Sequence, residues 1–562
     1  MSNYNKEREL SNCEVNASAV VVNAGAESLK KALRDVIPQE LYELHAKGRL
    51  HIHDLEFYTT AYNCIGIEVA DYAKDACDIH TALNRLFRGI TELTNQQSGG
   101  IGVMNFDEGL ARYLQDEKEC ELVQHMTDFL ENLNLPLRKG CEKAYVTLNF
   151  GTGVSADSQR ITSALLKAYD SGSYIFPNLV FCVKKGINRR ATDPAHNMLR
   201  KATKVTAHRM NPTYLNLDST FNRTMPPEKF GIMGCRSRIA ENRFSEKGAL
   251  HRGNIAAISI NLVQLALESG NSMECFLRLI DIDMENAKKI LLDRYEKLLK
   301  GSGLKYVQEH ALYQGAEQSH AADMLKNGTL SIGFIGLWES FCVLHDDSSL
   351  LCTEEHKMLN VPFEVLQQYA QEGLQVVRHM REIVDLFAEA TNMNFSLLAS
   401  SGEGISGVLP RKTSRIYPTG TILQDLSYYT NSFHLPVYVN ISAFEKIELE
   451  APFHELCNGG HISYVELAEA PMANGEAIED LVEYACENNI GYFGINYPLD
   501  ECPCGYSGTF TVCPKCGRGG KDIKRLRRVS GYLSEENNMS FGKREELKHR
   551  RPNCGQVDCK GE

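Results

Sequence analysis

Two close cysteine pairs stand near the end of the chain: Cys502-Pro503-Cys504 and, after eight intervening residues, Cys513-Pro514-Lys515-Cys516. Four thiolates at that spacing suit Zn2+, which needs no redox chemistry and closes a tetrahedral shell. The first pair is Cys-x-Cys, so its turn must be tighter than the usual one, and redox dithiols are the alternative reading. Shortly afterwards comes Arg528-Val529-Ser530-Gly531-Tyr532-Leu533, whose glycine, taken alone, marks a turn or a close backbone approach. Cys235, in Gly231-Ile232-Met233-Gly234-Cys235-Arg236-Ser237, and Cys64, in Tyr62-Asn63-Cys64-Ile65, are 235 − 64 = 171 positions apart. Taken alone, each fits buried packing as well as reactivity. Asn254 after Arg252-Gly253 reads locally as a cap or turn. Ser400-Ser401-Gly402-Glu403-Gly404 either offers backbone N–H groups to a phosphate or forms a plain Gly/Ser turn. Asn149-Phe150-Gly151-Thr152-Gly153 is a weaker glycine pattern of the same kind. His51 and His53 alternate in His-Ile-His-Asp, as metal ligands or as a hydrogen-bonded structural pair.

These residues need a large scaffold to meet. Helical periodicity runs over 28–47, 79–93, 107–133, 276–299 and 363–390, with strand-like runs between at 145–150, 174–183, 256–262, 330–337, 395–399, 437–441, 461–467 and 492–497. Several runs are apolar on both faces, as strands covered by helices must be, which predicts a large α/β domain closed into a barrel. From about residue 500 the chain turns Cys- and Gly-rich, then basic and polar, and reads as an appendage. Over 562 residues, 60 basic and 72 acidic side chains give −12, which disfavours nucleic-acid binding. The eighteen cysteines are diluted over a long chain and are expected as thiols. With neither an apolar leader nor a membrane-length apolar run, a cytoplasmic location is expected.

The four-cysteine cluster followed by RVSGYL resembles the anaerobic (class III) ribonucleoside-triphosphate reductases. The resemblance runs in the family's order through HIHDLEFY, YNCIGI, AYVTLNFGTG, FPNLVFCVKKGIN, MGCRS, RGNIAAISINL, LSIGFIGL, YYTNSFHL, the ELEAPFHELCNGGHISY region, YFGINYPLDEC and RVSGYL. It implies a ten-stranded α/β barrel of the glycyl-radical type, with an N-terminal helical segment at 1–48, the catalytic barrel at 49–499, a zinc-ribbon-like site at 500–519, and the radical loop with a flexible tail at 520–562. It implies that Gly531 stores a radical made with S-adenosylmethionine by a separate radical-SAM activase. It further implies Cys235 as thiyl, Cys64 as second active-site thiol, Asn254 as the residue orienting formate or substrate, and Met233 as a marker of the formate-using branch. Ser400, Ser401 and Gly402 occupy the place of the family's substrate loop, and Cys502, Cys504, Cys513 and Cys516 that of its structural zinc. NTP substrates, dNTP or ATP effectors and a homodimer follow from the same likeness. Another glycyl-radical enzyme, an acyl transferase or lyase, and a non-catalytic zinc-ribbon binding protein are the alternatives.

Three departures are visible. The match begins near Asn23, so no N-terminal ATP-binding regulatory domain is expected. The stretch 71–97 is shorter than in relatives, which bears on the specificity site. Cys554-Gly555-Gln556-Val557-Asp558-Cys559 adds paired thiols, which either relay electrons from a thioredoxin-like protein or are chance thiols on a frayed tail.

Overall fold

Strands buried along all or nearly all of their length carry the architecture, and most lie where apolar runs bounded by turn residues place them. The computed structural model describes residues 13–554 apart from 314, 319–320, 352–357, 419–421, 424–425, 473 and 529. One parallel set comprises β2 (Ile65–Glu68), β3 (Ile101–Met104), β4 (Val146–Phe150), β5 (Asn178–Val183) and β6 (Thr213–Asn216), hydrogen-bonded in that order. A second comprises β9 (Asn254–Asn261), β10 (Thr329–Ile335) and β11 (Phe395–Ala399), and then the pair β12 (Ser463–Glu466) and β13 (Tyr492–Asn496). The two sets meet antiparallel where Tyr492 of β13 faces Leu215 of β6. They make ten strands, five in each direction.

No continuous ladder crosses the two remaining seams among the described residues; single backbone bonds bridge them. Ala399 N donates to Gly460 O at 2.9 Å, and Gly459 N to Leu397 O at 2.8 Å, joining β11 to the lead-in of β12. Cys64 N donates to Asn254 O at 3.1 Å and Gly66 N to Arg252 O at 2.9 Å, joining β2 to β9. The short β1 (Leu50–Ile52) pairs antiparallel with the far half of β9. Helices such as Ile79–Thr94, Ala156–Ser171, Met273–Leu298 and Phe363–Thr391 supply the apolar side of one large core.

Two further hairpins matter for the site. The strands β7 (Ile232–Met233) and β8 (Ser237–Arg238) form a tight finger with Gly234, Cys235 and Arg236 at its tip. Near the end, β14 (Leu499–Glu501), β15 (Ser507–Gly508), β16 (Lys524–Arg528) and β17 (Leu533–Glu535) form a small antiparallel sheet.

The structure differs from the sequence expectation in several elements. The helical run 28–47 is broken into Ala17–Ala32 and Gln39–Lys47, because Pro38 lacks the N–H that a continuous helix needs, and Gly48 at φ +76° ends the second piece. The run 107–133 splits into Phe106–Ala111 and Glu119–Leu133; Glu117 takes the Gln115 N–H at 2.7 Å and Glu121 takes that of Lys118, so side chains replace helix bonds there. Residues 437–441 form no strand; after Pro436 they make one isolated bridge, Val439 to Leu359. The terminal segment is a helix, Phe541–His549, followed by residues held to the barrel: Arg551 N donates to Val437 O and Asn553 N to Glu466 O, both at 2.8 Å. No described helix is long and apolar enough to cross a membrane.

Candidate active site

The finger is fixed by the barrel's own side chains. Asn149 on β4 accepts from Ile232 N at 2.8 Å and donates to Ile232 O at 2.9 Å, and Thr147 Oγ1 donates to Gly234 O at 2.8 Å. Gly234 has φ +58°, and its backbone passes so close to Gly100 that a β-carbon on Gly100 would sit 2.7 Å from the Gly234 Cα. On the far side Arg238 N donates to Gly459 O at 3.1 Å, and Arg236 Nη1 reaches the carbonyls of Ala399 and Ser400. The finger therefore spans the interior from β3 and β4 to the β11–β12 seam, with Cys235 at its end.

The hairpin turn after β16 enters the same space. Arg528, fully buried at its base, donates through Nη2 to Met210 O at 2.7 Å, which anchors the turn to the end of the helix preceding β6. Tyr464 Oη donates to Ser530 O at 3.0 Å, and the Tyr532 ring packs 5.4 Å from Tyr145 and 5.7 Å from Phe176. Gly531 then lies directly against Cys235: a β-carbon on it would come 2.2 Å from Cys235 Cβ and 2.4 Å from Cys235 Cα. Glycine is the only residue that fits there.

Cys64 and Asn254 are joined by the β2–β9 seam. Besides the Cys64 N–H bond to Asn254 O, the Asn254 N–H donates to Cys64 Sγ at 3.2 Å. Asn254 Oδ1 accepts from Ser331 Oγ at 3.0 Å, and Ser331 pairs with Ser396 at 2.9 Å. Met233, fully buried on the finger, packs in one cluster with Cys64, Met104, Ile239 and Ala249. Both thiols are held protonated. Burial, with the Glu403 carboxylate adding to it, pushes Cys235 up to about 11, and burial pushes Cys64 up to about 12, with the charge of Cys235 among the lesser causes. A neutral S–H, unlike a thiolate, is a hydrogen-atom donor.

Ser400, Ser401 and Gly402 follow β11 and precede the helix Ile405–Ile416. Gly402 takes φ +60°, and a β-carbon on it would meet Asn431 Oδ1 at 1.7 Å. Arg236, the residue after Cys235, reaches the Ser400 carbonyl with Nη1 at 3.4 Å, which ties the loop to the finger. The loop leads into the opening turn of that helix, where Ser406 N donates to Gly402 O at 2.9 Å.

The four cysteines of the small sheet converge. Their sulfurs all lie within 4.8 Å of one another, with Cys502 to Cys516 at 3.4 Å and Cys504 to Cys513 at 3.6 Å. A tetrahedron of about 2.3 Å Zn–S bonds has sulfurs about 3.8 Å apart, so the set fits zinc with small adjustment. Histidines 51 and 53 join no metal-binding group among the described residues. Cys554 ends the described tail in an isolated bridge with Ser442; Cys559 lies outside the described residues.

The serine rows were not legible in the sequence, since Ser259, Ser331 and Ser396 sit in three separate ordinary strands, β9, β10 and β11, and Ser400 just after the last of them. The nearest signal was their regular placement in apolar runs, where a hydroxyl must find a partner.

Two five-stranded parallel halves around an interior finger, with a glycine backbone pressed on the cysteine at its tip, define the fold and the candidate site. Residues 9–552 match the family model of the anaerobic ribonucleoside-triphosphate reductases, and the chain belongs to that family, which makes it an oxidoreductase. Curated anaerobic ribonucleoside-triphosphate reductases are similar to it: that of Haemophilus influenzae is 29% identical, covering 96% of this chain and 83% of its own length, and that of phage T4 is 26% identical, covering 93% and 92%. Among solved structures, the Thermotoga maritima anaerobic ribonucleotide reductase in complex with dATP and CTP superposes with a TM-score of 0.71 at 16% identity, over 95% of this chain and 92% of that one. The B12-independent glycerol dehydratase of Clostridium butyricum shares the fold more distantly, with a TM-score of 0.56 at 12% identity, over 95% and 72%. The activity of the family is the anaerobic reduction of ribonucleoside triphosphates.

Proposed function

We propose that this chain converts NTPs to dNTPs by exchanging a hydrogen atom between Gly531 and Cys235, with formate as reductant. The contact of Gly531 with Cys235 carries the reading. A radical on the Gly531 α-carbon is delocalised over the adjoining amide N–H and C=O, which makes it a store, and its hydrogen-atom partner is the neighbouring S–H. Cys235 gives its hydrogen to Gly531 and becomes a thiyl. The thiyl takes the ribose 3′ hydrogen, the 2′ hydroxyl leaves as water after gaining a proton, and Cys64 supplies hydrogen from the seam it shares with Asn254. Formate going to carbon dioxide provides the two electrons. Asn254, fixed through Ser331, orients formate or substrate, and Met233, packed in one cluster with Cys64, is the marker of the formate-using branch. The loop 400–404 takes the substrate's phosphates.

The radical is introduced at Gly531 by a radical-SAM activase. Zinc held by Cys502, Cys504, Cys513 and Cys516 is structural; when bound it ties together the strands that lead into the radical turn. The dNTP or ATP effectors are supported by the relative solved with dATP, and the assembly is a homodimer.

The test is anaerobic turnover of the activated protein with each NTP and labelled formate. Equal amounts of dNTP and carbon dioxide are expected. Product formed with a thioredoxin-like reductant and not with formate, and lost in the Cys554→Ser, Cys559→Ser double variant, overturns the choice of reductant. A glycyl radical with no dNTP from any reductant overturns the reaction and favours an acyl transferase or lyase.

A further inference from the structure

The His-Ile-His-Asp run finds no place in the chemistry above, yet its second histidine reaches the barrel interior. His53 Nε2 lies 2.7 Å from Ser259 Oγ, and Ser259 Oγ lies 2.6 Å from Ser400 Oγ. The three residues belong to different parts of the fold: His53 follows β1, Ser259 is on β9 and Ser400 follows β11. Between the two serines runs β10, and the residue in register with Ser259 is Gly333. A β-carbon on Gly333 would sit 2.2 Å from Ser400 Oγ and 3.4 Å from Ser259 Oγ. The glycine leaves the gap through which the hydroxyls meet.

We infer that His53 is a positioning residue for the loop 400–404, acting through Ser259 on Ser400, and so sets the affinity for the anionic part of the nucleotide; this rests on the reading of that loop as the phosphate site.

Ser400 is fully buried, so it acts on the loop and not on the ligand. Its side chain is held by Ser259 and its carbonyl faces Arg236 Nη1 at 3.4 Å, which fixes the chain direction into Ser401 and Gly402 from two sides. Arg236 adjoins Cys235 in the chain, so one tether sets the loop against both the ligand and the finger that carries the cysteine. The histidine end is rigid: His53 N donates to Ala257 O at 3.2 Å, Arg294 Nη1 donates to His53 O at 2.8 Å, and the His51 ring lies edge-on at 4.9 Å. A hydroxyl has one proton, so the chain has a direction: when His53 Nε2 carries its proton, Ser259 donates to Ser400, and when it does not, both hydroxyls point back.

The experiment uses the full activated enzyme with His53→Ala, His53→Gln, Ser259→Ala and the His53→Ala, Ser259→Ala double variant. Losing the tether is expected to raise KM for the NTP about five- to tenfold, with kcat changed less than about twofold. Glycyl-radical content per chain is expected to be unchanged. Gln, whose amide can occupy the Nε2 position, is expected to restore most of the affinity, and the double variant to be no worse than either single, since both cut one chain. Unchanged KM in His53→Ala and Ser259→Ala, or a loss confined to kcat, or Gln no better than Ala, overturns the tether. Equilibrium binding of the NTP to unactivated protein separates the two readings: affinity lost in the variants supports the tether even if no dNTP is made, whereas unchanged affinity in variants of a protein that does make dNTP overturns the tether alone.

Discussion

Gly531 and Cys235 touch through their backbones: a β-carbon on the glycine would stand 2.2 Å from the Cys235 carbonyl oxygen, and the neighbouring atoms are themselves main chain or Cβ. No flexible side-chain end is available to move aside. Gly531→Ala is therefore expected to displace the turn as well as remove the radical store. Anaerobic activation of this variant should yield no glycyl signal and no turnover, while the zinc content stays that of the wild type.

The two thiols are expected to separate radical storage from chemistry. Cys235→Ser should still acquire a glycyl radical from the activase and make no dNTP, because a hydroxyl O–H is too strong a bond to serve as hydrogen donor. Cys64→Ser should give the same result at a later step, with loss of 3′ hydrogen but no normal product. Asn254→Ala removes the amide that Ser331 holds in place and is expected to lower kcat/KM about 10- to 100-fold. Isotope release from 3′-tritiated NTP distinguishes the three.

Burial raises Cys235 to about 11 and Cys64 to about 12, against an ordinary value of 9. Because the reactive form is the neutral thiol, radical transfer is expected to stay on a plateau through pH 9, where an ordinary thiol is half ionised, and to fall only above about pH 10. The stability consequence has the same sign. The folded thiols hold their protons while unfolded ones lose them above about 9, so the contribution is complete below that pH and is lost as pH rises toward 11 and 12. An activity plateau ending below pH 8 would contradict this assignment.

How far the sequence discloses the site depends on whether chemistry or topology places each residue. The cysteine spacing at 502–516 is a local matter, and its four sulfurs do come together within 4.8 Å. The turn at Gly531 is legible as glycine in a tight approach, but only the fold reveals that the approach is to Cys235, 296 positions earlier by 531 − 235. Asn149 reads as part of a glycine pattern, whereas its structural work is to pin the finger through Ile232. His53 reads as metal ligand or structural pair because nothing local indicates that Ser259 faces it across a sheet seam. The apolar run at 437–441 looks like a strand since burial alone makes it apolar, while Pro436 and the lack of a neighbouring ladder leave it irregular.

Removing the metal is expected to reach the radical turn through the small sheet. The thiols of Cys502 and Cys504 follow β14, whose residues Leu499, Asp500 and Glu501 pair with Leu526, Arg525 and Lys524 of β16, and β16 leads directly to Gly531. One zinc per chain is expected by elemental analysis. Chelation, or Cys513→Ala, is expected to lower the melting temperature and the yield of glycyl radical together, because a structural zinc site contributes folding energy that the thiols alone do not replace. Loss of zinc with undiminished radical yield would place the site outside the radical machinery.

The most direct measurement is anaerobic electron paramagnetic resonance of the protein mixed with its activase, S-adenosylmethionine and a reductant, followed by air and intact-mass analysis. A glycyl doublet that is absent in Gly531→Ala, together with oxygen-dependent cleavage of the chain at Gly531, is the expected result. With an activase shown to be working, a protein that gains no doublet and stays intact in air would contradict storage of the radical at Gly531, and with it the hydrogen exchange with Cys235.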